Sequence, residues 1–289
     1  MVAAVSGGSD SLALLVLAVE AGLHVTAVHV DHGLRPGSTA EADVVRVAAE
    51  GMGARFAAAT VDVAPGPNLE ARARDARRAV LGPTAMTGHT ADDVAETLLL
   101  NLVRGAGLDG LAGIRPGPTK PLLRLRRADT RAVCAAAGLV PVEDPSNTDP
   151  AFRRNRVRHE VLPLLDRVAE RDVAGLLART AALVAEDAAL LEELASAVDP
   201  TDAGALTAIP VPLARRAVRR WLTAADPPHP PDAATVERVL AVAGGRHRAT
   251  QVSGGRRVAR TGGRLRLEEP PGAGGSEPSE RQVGRRPVG

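Results

Sequence analysis

A glycine-rich loop near the start of the chain constrains the fold more than any other feature. The loop, Ser6-Gly7-Gly8-Ser9-Asp10-Ser11, follows the apolar run 2–5 and precedes an apolar-periodic stretch that begins at Leu12. This context predicts a strand, a tight turn and a helix. Glycine lets successive N–H groups point inward, and the helix N-terminus adds partial positive charge. We therefore expect residues 6–11 to bind a phosphate group, although an ordinary strand-to-helix turn has the same pattern. No lysine follows the glycines, so the loop is not a Walker A sequence.

The first half of the chain alternates strand-like and helix-like segments, which is typical of a parallel sheet covered by helices. Asn68 is positioned to cap one of these helices. The predicted strands lie at 2–5, 25–30, 56–63 and 85–87. The predicted helices lie at 11–21, 38–50, 68–80, 92–103 and 129–137.

The pattern changes beyond Pro145, where helices follow one another without strands between them. A basic helix interrupted by Pro163 is expected at 156–168, and further helices at 173–197, 213–225 and 232–243. A glycine-punctuated hairpin is expected over 250–267. The fold class is therefore α/β: a doubly wound, mainly parallel sheet over 1–165, then a helical subdomain with a terminal hairpin over 166–268. Residues 269–289 have almost nothing to bury and are predicted to be a disordered tail.

Composition narrows the class of protein. Cys134 is the only cysteine, so neither a disulfide framework nor a thiolate metal site can form within one chain. No signal peptide and no apolar run long enough to span a bilayer is found, so we expect a cytoplasmic protein. Lys120 is the only lysine, and arginine therefore carries nearly all of the positive charge. Arginines cluster at 215–220 and 246–266, where contact with RNA or plain solvation both remain open.

Polar clusters follow three of the predicted strands, at 6–11, 31–35 and 87–96. One parallel sheet would bring them to one rim, where ligands of such folds bind. Asp92 and Glu96 share a helix face, with Asp93 beside them, and like charges at that spacing call for a cation between them. Mg²⁺ or a substrate ammonium would serve. The alternative is an acidic first turn favoured by the helix dipole.

A fourth cluster joins an acidic loop, 143–149, to a basic helix that begins near Arg153. Arg154 and Arg158 are four residues apart on one face, which suits a phosphate backbone. Asp144 or Asp149 could receive a proton or orient an amine. The alternative is a solvated loop followed by a salt-bridged helix.

These clusters resemble known motifs. The Ser6–Ser11 loop resembles the PP-loop of the ATP pyrophosphatases, and the stretch 144–149 followed by 154–159 is similar to the signature of bacterial tRNA(Ile)-lysidine synthetases. Stretches 29–35, 87–97 and 104–113 match further motifs of that family, and the resemblance covers about residues 2–165. Asp31 stands where the family often has asparagine, and Val94 where it commonly has glutamine. The chain begins only a few residues before the first motif, which suggests a truncated gene start.

The resemblance implies a fold of the adenine nucleotide alpha hydrolase type and a specific reaction. ATP would adenylate the C2 oxygen of the cytidine at the first anticodon position of an isoleucine tRNA with a CAU anticodon. Free L-lysine would then attack C2 and expel AMP. Ser6, Gly7, Gly8, Ser9, Asp10 and Ser11 would bind ATP. Roles in the chemistry would fall to Asp10, Asp92, Asp93 and Asp144, with Asp10 and Asp93 as Mg²⁺ ligands. The tRNA would contact Arg154, Arg156 and Arg158.

Two other classes of function remain open from the sequence. The first is another PP-loop enzyme that modifies tRNA, such as a thiolase. The lone Cys134 argues against those thiolases that need redox-active or cluster-binding cysteines. The second is a non-catalytic RNA-binding relative, which would be marked by erosion of the phosphate loop or the acids. The oligomeric state is open, and a homodimer is compatible with the sequence.

Overall fold

The computed structural model describes residues 1–31, 38–61, 69–226 and 230–269. They fall into two compact units, divided between Ala188 and Ala189. The predicted cap Asn68, residues 32–35 of the second motif and nearly all of the predicted tail lie outside the described residues. The predicted domain boundary at 165/166 stays a prediction.

The first unit is built on a parallel sheet. Its strands are β1 (Val2–Ala4), β2 (Thr26–Asp31), β3 (Arg55–Thr60) and β4 (Met86–Thr87). They lie in the order β3-β2-β1-β4, and every pair is parallel. The predicted α/β fold with a mainly parallel sheet is confirmed. Because β2, β1 and β4 are neighbours, the loops that follow them leave the sheet at one rim.

Helices alternate with these strands in the order that the sequence predicts. α1 is largely buried: Leu12, Leu14 and Leu15 have almost no exposed surface and pack in the main core. The helices of this part of the chain are α1 (Ser9–Glu20), α2 (Ser38–Gly51), α3 (Leu69–Leu81), α4 (Ala91–Val103), α5 (Leu108–Leu111) and α6 (Arg127–Ala136).

The basic segment after residue 150 is divided into more pieces than the helix interrupted by Pro163 that the sequence predicts. It consists of α7 (Arg153–Arg156), a π-helical turn (Val157–Val161) and α8 (Leu162–Ala169). Pro163 lies at the start of α8 and has no N–H to donate to the preceding turn. The wider turn before α8 accommodates this missing hydrogen bond.

The second unit is helical and ends in a small antiparallel sheet. α9 (Ala174–Ser196) leads into it, followed by α10 (Ala203–Ala208), α11 (Val211–Ala225) and α12 (Ala233–Ala243). The sheet has the order β5-β6-β7, with β5 at Ala249–Gln251, β6 at Arg257–Thr261 and β7 at Arg264–Glu268.

The structure adds one strand to the predicted hairpin. Gly254 and Gly255 both have positive φ and form a tight turn, so the chain reverses once before β6 and again after it. Val218, Val236, Val239 and Val258 fill the core of this unit. Across the described ranges, no helix is long and apolar enough to cross a membrane.

Candidate active site

The loop between β1 and α1 is held by its own serines. The Ser6 N–H donates to Ser11 Oγ at 3.1 Å, and Ser11 Oγ donates to the Gly8 carbonyl at 2.9 Å. Gly8 is the N-cap of α1 and has no side chain to cover the helix N-terminus. Gly7 has φ +88, and an added Cβ would come within 3.2 Å of a Val142 methyl carbon. The loop is therefore closely fitted, and its geometry suits an anion at the N-terminus of α1.

Two other segments lie against this loop. An added Cβ at Gly88, just after β4, would overlap the Asp10 carbonyl, so the β4 loop touches the first turn of α1. The Val142 N–H donates to the Gly7 carbonyl at 2.9 Å, which brings the chain just before Asp144 to the phosphate loop. The structure thus brings the first, third and fourth sequence clusters together. Asp31, from the second cluster, ends the neighbouring strand β2.

Two acids of α4 and one of α1 surround a guanidinium group that comes from α6. Arg127 Nε lies 3.3 Å from Asp10 Oδ2, its Nη2 lies 3.0 Å from Asp93 Oδ1, and its Nη1 lies 3.1 Å from Glu96 Oε1. The Glu96 side chain is fully buried. The sequence predicts Mg²⁺ or a substrate ammonium between Asp92 and Glu96. In this structure the cation beside Glu96 is the Arg127 guanidinium, and the Asp92 carboxylate pairs with Arg126 instead.

Asp92 faces away from this group and holds α6 in place. Its two oxygens accept from Arg126 Nη2 at 2.9 Å and Arg126 Nε at 3.0 Å, and Oδ2 also accepts from the Arg127 N–H at 2.7 Å. Arg126 forms a second ion pair with Asp172. Because Arg127 is the first residue of α6, Asp92 fixes the point from which the Arg127 side chain extends.

The three arginines predicted to bind tRNA have different surroundings. Arg154 Nε lies 2.7 Å from Glu96 Oε2, and Arg158 Nε lies 2.7 Å from Glu96 Oε1. Both side chains are thus turned toward the α4 acids. Arg156 is largely exposed and pairs with Glu160 one turn away at 3.4 Å. Of the three, Arg156 is the one most open to a ligand from solvent.

Burial and ion pairing move the pKa values of these groups in different directions. Burial raises the pKa of Asp10 above its ordinary value, against hydrogen bonds from Thr130 and Arg127. Burial also acts to raise the pKa of Asp93, but Arg127, the Thr90 N–H and Arg154 outweigh it and the pKa is lowered. Burial acts to lower the pKa of Arg127, and its three carboxylates raise it overall. Arg127 therefore remains charged.

The oxygens of Asp10 and Asp93 that could bind Mg²⁺ already have hydrogen-bond partners. Asp10 Oδ1 accepts from Thr130, and Asp93 Oδ2 accepts from the Thr90 N–H at 2.8 Å, while Arg127 takes the other oxygen of each acid. Within the ranges that the structure describes, no group of three or more metal-ligating side chains is placed to hold an ion. The donor set does not fit a metal held by these two carboxylates alone.

Sequence reasoning missed Arg127, the residue that joins three of the predicted acids. It stands 117 residues after Asp10 and 34 after Asp93. The motif spacing places the acids on neighbouring loops but says nothing about which distant helix supplies their counterion. The only signal in the sequence is that these neighbouring acids repel one another and therefore need a positive charge nearby.

Comparison with known proteins matches two parts of the chain to known domains. Residues 1–165 match the model of a PP-loop domain, and residues 202–266 match the model of a TilS substrate binding domain. A tRNA(Ile)-lysidine synthase from Nocardia farcinica is 47% identical over 235 residues, covering 76% of this chain and 74% of that protein. The chain belongs to the tRNA(Ile)-lysidine synthase family. A second member, from Rhodococcus erythropolis, is 44% identical over 238 residues and covers 77% and 73% of the two chains.

The fold is also similar to that of a solved structure outside the family. The U34-tRNA thiolase NcsA from Methanococcus maripaludis superposes with a TM-score of 0.51 at 19% identity, over 62% of this chain and 70% of that one. At this identity the likeness concerns the fold alone. It supports the parallel α/β fold of this chain.

Proposed function

We propose that this chain is a tRNA(Ile)-lysidine synthetase, a carbon–nitrogen ligase that joins free L-lysine to C2 of a cytidine. The cytidine would be the first anticodon nucleotide of an isoleucine tRNA with a CAU anticodon, and its modification would change decoding from AUG to AUA. The observation that carries the proposal is the set of features that meet at one rim of the sheet. There an open phosphate loop, a group of acids and the segment leading to Asp144 lie together in a chain of this family.

The chemistry divides into two steps. The C2 oxygen of the cytidine attacks the α-phosphorus of ATP, and pyrophosphate leaves. The C2 oxygen, which is a poor leaving group by itself, is now part of a bound AMP group that can leave. The lysine amine, after losing a proton, then attacks C2 and the C2–oxygen bond to AMP breaks. Residues 6–11 would bind the ATP phosphates. Mg²⁺, when bound with ATP, would neutralise part of the triphosphate charge.

Asp144 is the acid that we propose for handling the lysine amine. It lies two residues beyond Val142, whose N–H bonds to the Gly7 carbonyl, so its backbone is close to the phosphate loop. A carboxylate there could orient the ammonium and accept its proton. Asp10 and Asp93 would act with Arg127 as a group at the same rim, whereas Asp92 would act through its hold on α6.

Two exposed features support RNA as the substrate. Phe152 precedes the basic helix and is 45% exposed, whereas Phe56 and Trp221, the other aromatic residues, pack against the cores of their units. An exposed aromatic beside arginines suits stacking of an unpaired base. Arg156 lies two residues closer to the π-helical turn than Arg154. It would contact a phosphate of the RNA.

The small sheet of the second unit offers a further RNA contact. The Arg260 N–H donates to the Arg248 carbonyl at 3.0 Å, so the two are cross-strand neighbours, and both are exposed. Neither forms an ion pair with any described residue. Like charges in neighbouring strands repel unless an anion lies near them, and a tRNA backbone supplies one. Such an enzyme would work in the cytoplasm, where its tRNA and ATP are found.

Incorporation of labelled lysine into an isoleucine tRNA transcript tests the proposal. With ATP and Mg²⁺, we expect label to enter the CAU transcript and not a transcript with a different first anticodon base. Asp144→Asn should abolish incorporation while tRNA binding survives. Pyrophosphate release on another tRNA without lysine incorporation would keep the ATP chemistry and discard lysine as the nucleophile. Full lysine incorporation by Asp144→Asn would discard the role of that residue.

A further inference from the structure

The space between Asp10 and Asp93 is filled by the Arg127 guanidinium. All three of its nitrogens are used, at 3.3 Å from Asp10, 3.0 Å from Asp93 and 3.1 Å from Glu96. The Arg127 side chain is 17% exposed. The two acids that the sequence predicts as Mg²⁺ ligands therefore already share a cation.

The remaining oxygens of these acids are also engaged. Asp10 Oδ1 accepts from the Thr130 hydroxyl, and Asp93 Oδ2 accepts from the Thr90 N–H at 2.8 Å and the Thr90 hydroxyl at 3.1 Å. Mg²⁺ requires near-octahedral oxygen ligands at about 2.0–2.1 Å. An ion bound that closely to the Arg127-facing oxygens would lie next to the guanidinium charge, which repels it.

Contacts with other residues of α4 hold Arg127 in this position. Its own N–H donates to Asp92 at 2.7 Å, and Arg126 fixes Asp92 through two further hydrogen bonds. The fully buried Glu96 anchors the far side of the guanidinium. The side chain is therefore positioned by α4 and α6 together and does not depend on a ligand.

We propose that Arg127 is a positioning residue that serves as the built-in cation between Asp10 and Asp93. The nucleotide-free protein then has no divalent-metal site at this pair, and ATP brings Mg²⁺ with it on its own phosphate oxygens. The second statement rests on the proposed function, in that ATP is the nucleotide. The first rests on the geometry alone.

Binding of Mn²⁺, a spectroscopic substitute for Mg²⁺, tests the inference without tRNA or lysine. The full chain is titrated with Mn²⁺ without nucleotide, and the free ion is followed by electron paramagnetic resonance. We expect no stoichiometric binding by the wild-type chain at submillimolar Mn²⁺. Arg127→Met removes the charge at similar length and should raise Mn²⁺ affinity by about 100-fold or more. Arg127→Lys keeps a cation and should bind as weakly as wild type.

Two controls assign the site. The double variant Arg127→Met with Asp10→Asn should lose the Mn²⁺ gained by the single variant. Arg115→Met changes an exposed arginine paired with Asp109 and should leave Mn²⁺ binding as in wild type.

Stoichiometric Mn²⁺ binding by the nucleotide-free wild-type chain that disappears in Asp10→Asn would overturn the inference. So would a folded Arg127→Met chain that binds no more Mn²⁺ than wild type. The wild-type measurement stands even if Arg127→Met does not fold. Failure of either kind leaves lysine incorporation untouched, and failure of lysine incorporation leaves the Mn²⁺ result untouched.

Discussion

Glu96 should be the residue of this site whose charge matters most to stability. Its carboxylate has no exposed surface and accepts four hydrogen bonds from guanidinium groups. The distances are 3.1 Å to Arg127, 2.7 Å to Arg154, and 2.7 and 3.3 Å to Arg158. Glu96→Gln keeps the volume of the side chain but removes its charge, and it turns an amide donor toward other donors. Arg127 and Arg154 would keep only Asp10 and Asp93 as partners, and Arg158 would lose the carboxylate that it pairs with.

The expected loss follows from burial. Removing one partner of a buried ion pair costs about 3–5 kcal/mol. The arginine side chains are 17 to 35% exposed, so water screens part of the loss and the lower end of that range applies. For a domain of 150–250 residues, about 3 kcal/mol lowers the melting temperature by about 6–12 °C. Because the network is buried, we expect the drop to persist at high salt.

Far-UV circular dichroism at neutral pH measures this change. Trp221 packs in the core of the second unit, so its fluorescence follows that unit separately. Asp43→Asn is the matched control, since Asp43 is 66% exposed and pairs with Arg46 on the surface of α2. Its cost should stay within about 1 kcal/mol. A Glu96→Gln melting temperature as close to wild type as that of Asp43→Asn would refute the reasoning.

Three further predictions test other parts of the molecule. Gly88→Ala places a Cβ against the Asp10 carbonyl and should lower ATP-dependent pyrophosphate release by about 10–100-fold, whereas Gly51→Ala, with open space around it, should retain activity. Phe152→Ala should raise the KM for tRNA by about 5–100-fold with the KM for ATP unchanged, and Phe152→Trp should restore it; pyrrolocytidine fluorescence at the first anticodon position reports the stacking. The hydrogen bonds from Thr201, with Arg264, lower the pKa of Asp199 to about 2, so its stabilisation is full above pH 3.8 and is lost as the pH falls through about 2. Carboxyl NMR titration should show a higher Asp199 midpoint in Thr201→Ala, and an unchanged midpoint would contradict this cause.

The sequence predicts the sheet and the rim because both depend on local patterns. Alternating strands and helices dictate a parallel sheet, and a parallel sheet brings the ends of β1 and β4 together. The spacing of Asp92, Asp93 and Glu96 correctly indicates a demand for positive charge. It cannot identify the cation, because Arg127 is brought there by the packing of α6.

The basic helix shows a second limit. Its charge and the position of Pro163 can be read from the sequence, and the proline suggests a helix that is interrupted. The direction in which Arg154 and Arg158 point depends on how α7 and the π-helical turn pack on α4. Periodicity gives a shared face but not the partner of that face, so a surface for RNA and an internal counterion look the same in sequence.

The arginines around Glu96 also determine where this chain can be cut and rejoined. Arg154 and Arg158 follow Glu96 by 58 and 62 residues, and α5 and α6 lie between them. A fragment that ends within this interval keeps the buried carboxylate but loses at least two of its three counterions. Grafting of this nucleotide-binding half onto an unrelated protein should therefore succeed only when the junction lies beyond α7 and the π-helical turn. The acidic loop and the basic helix would have to be transferred together with the phosphate loop, as one continuous segment of the chain.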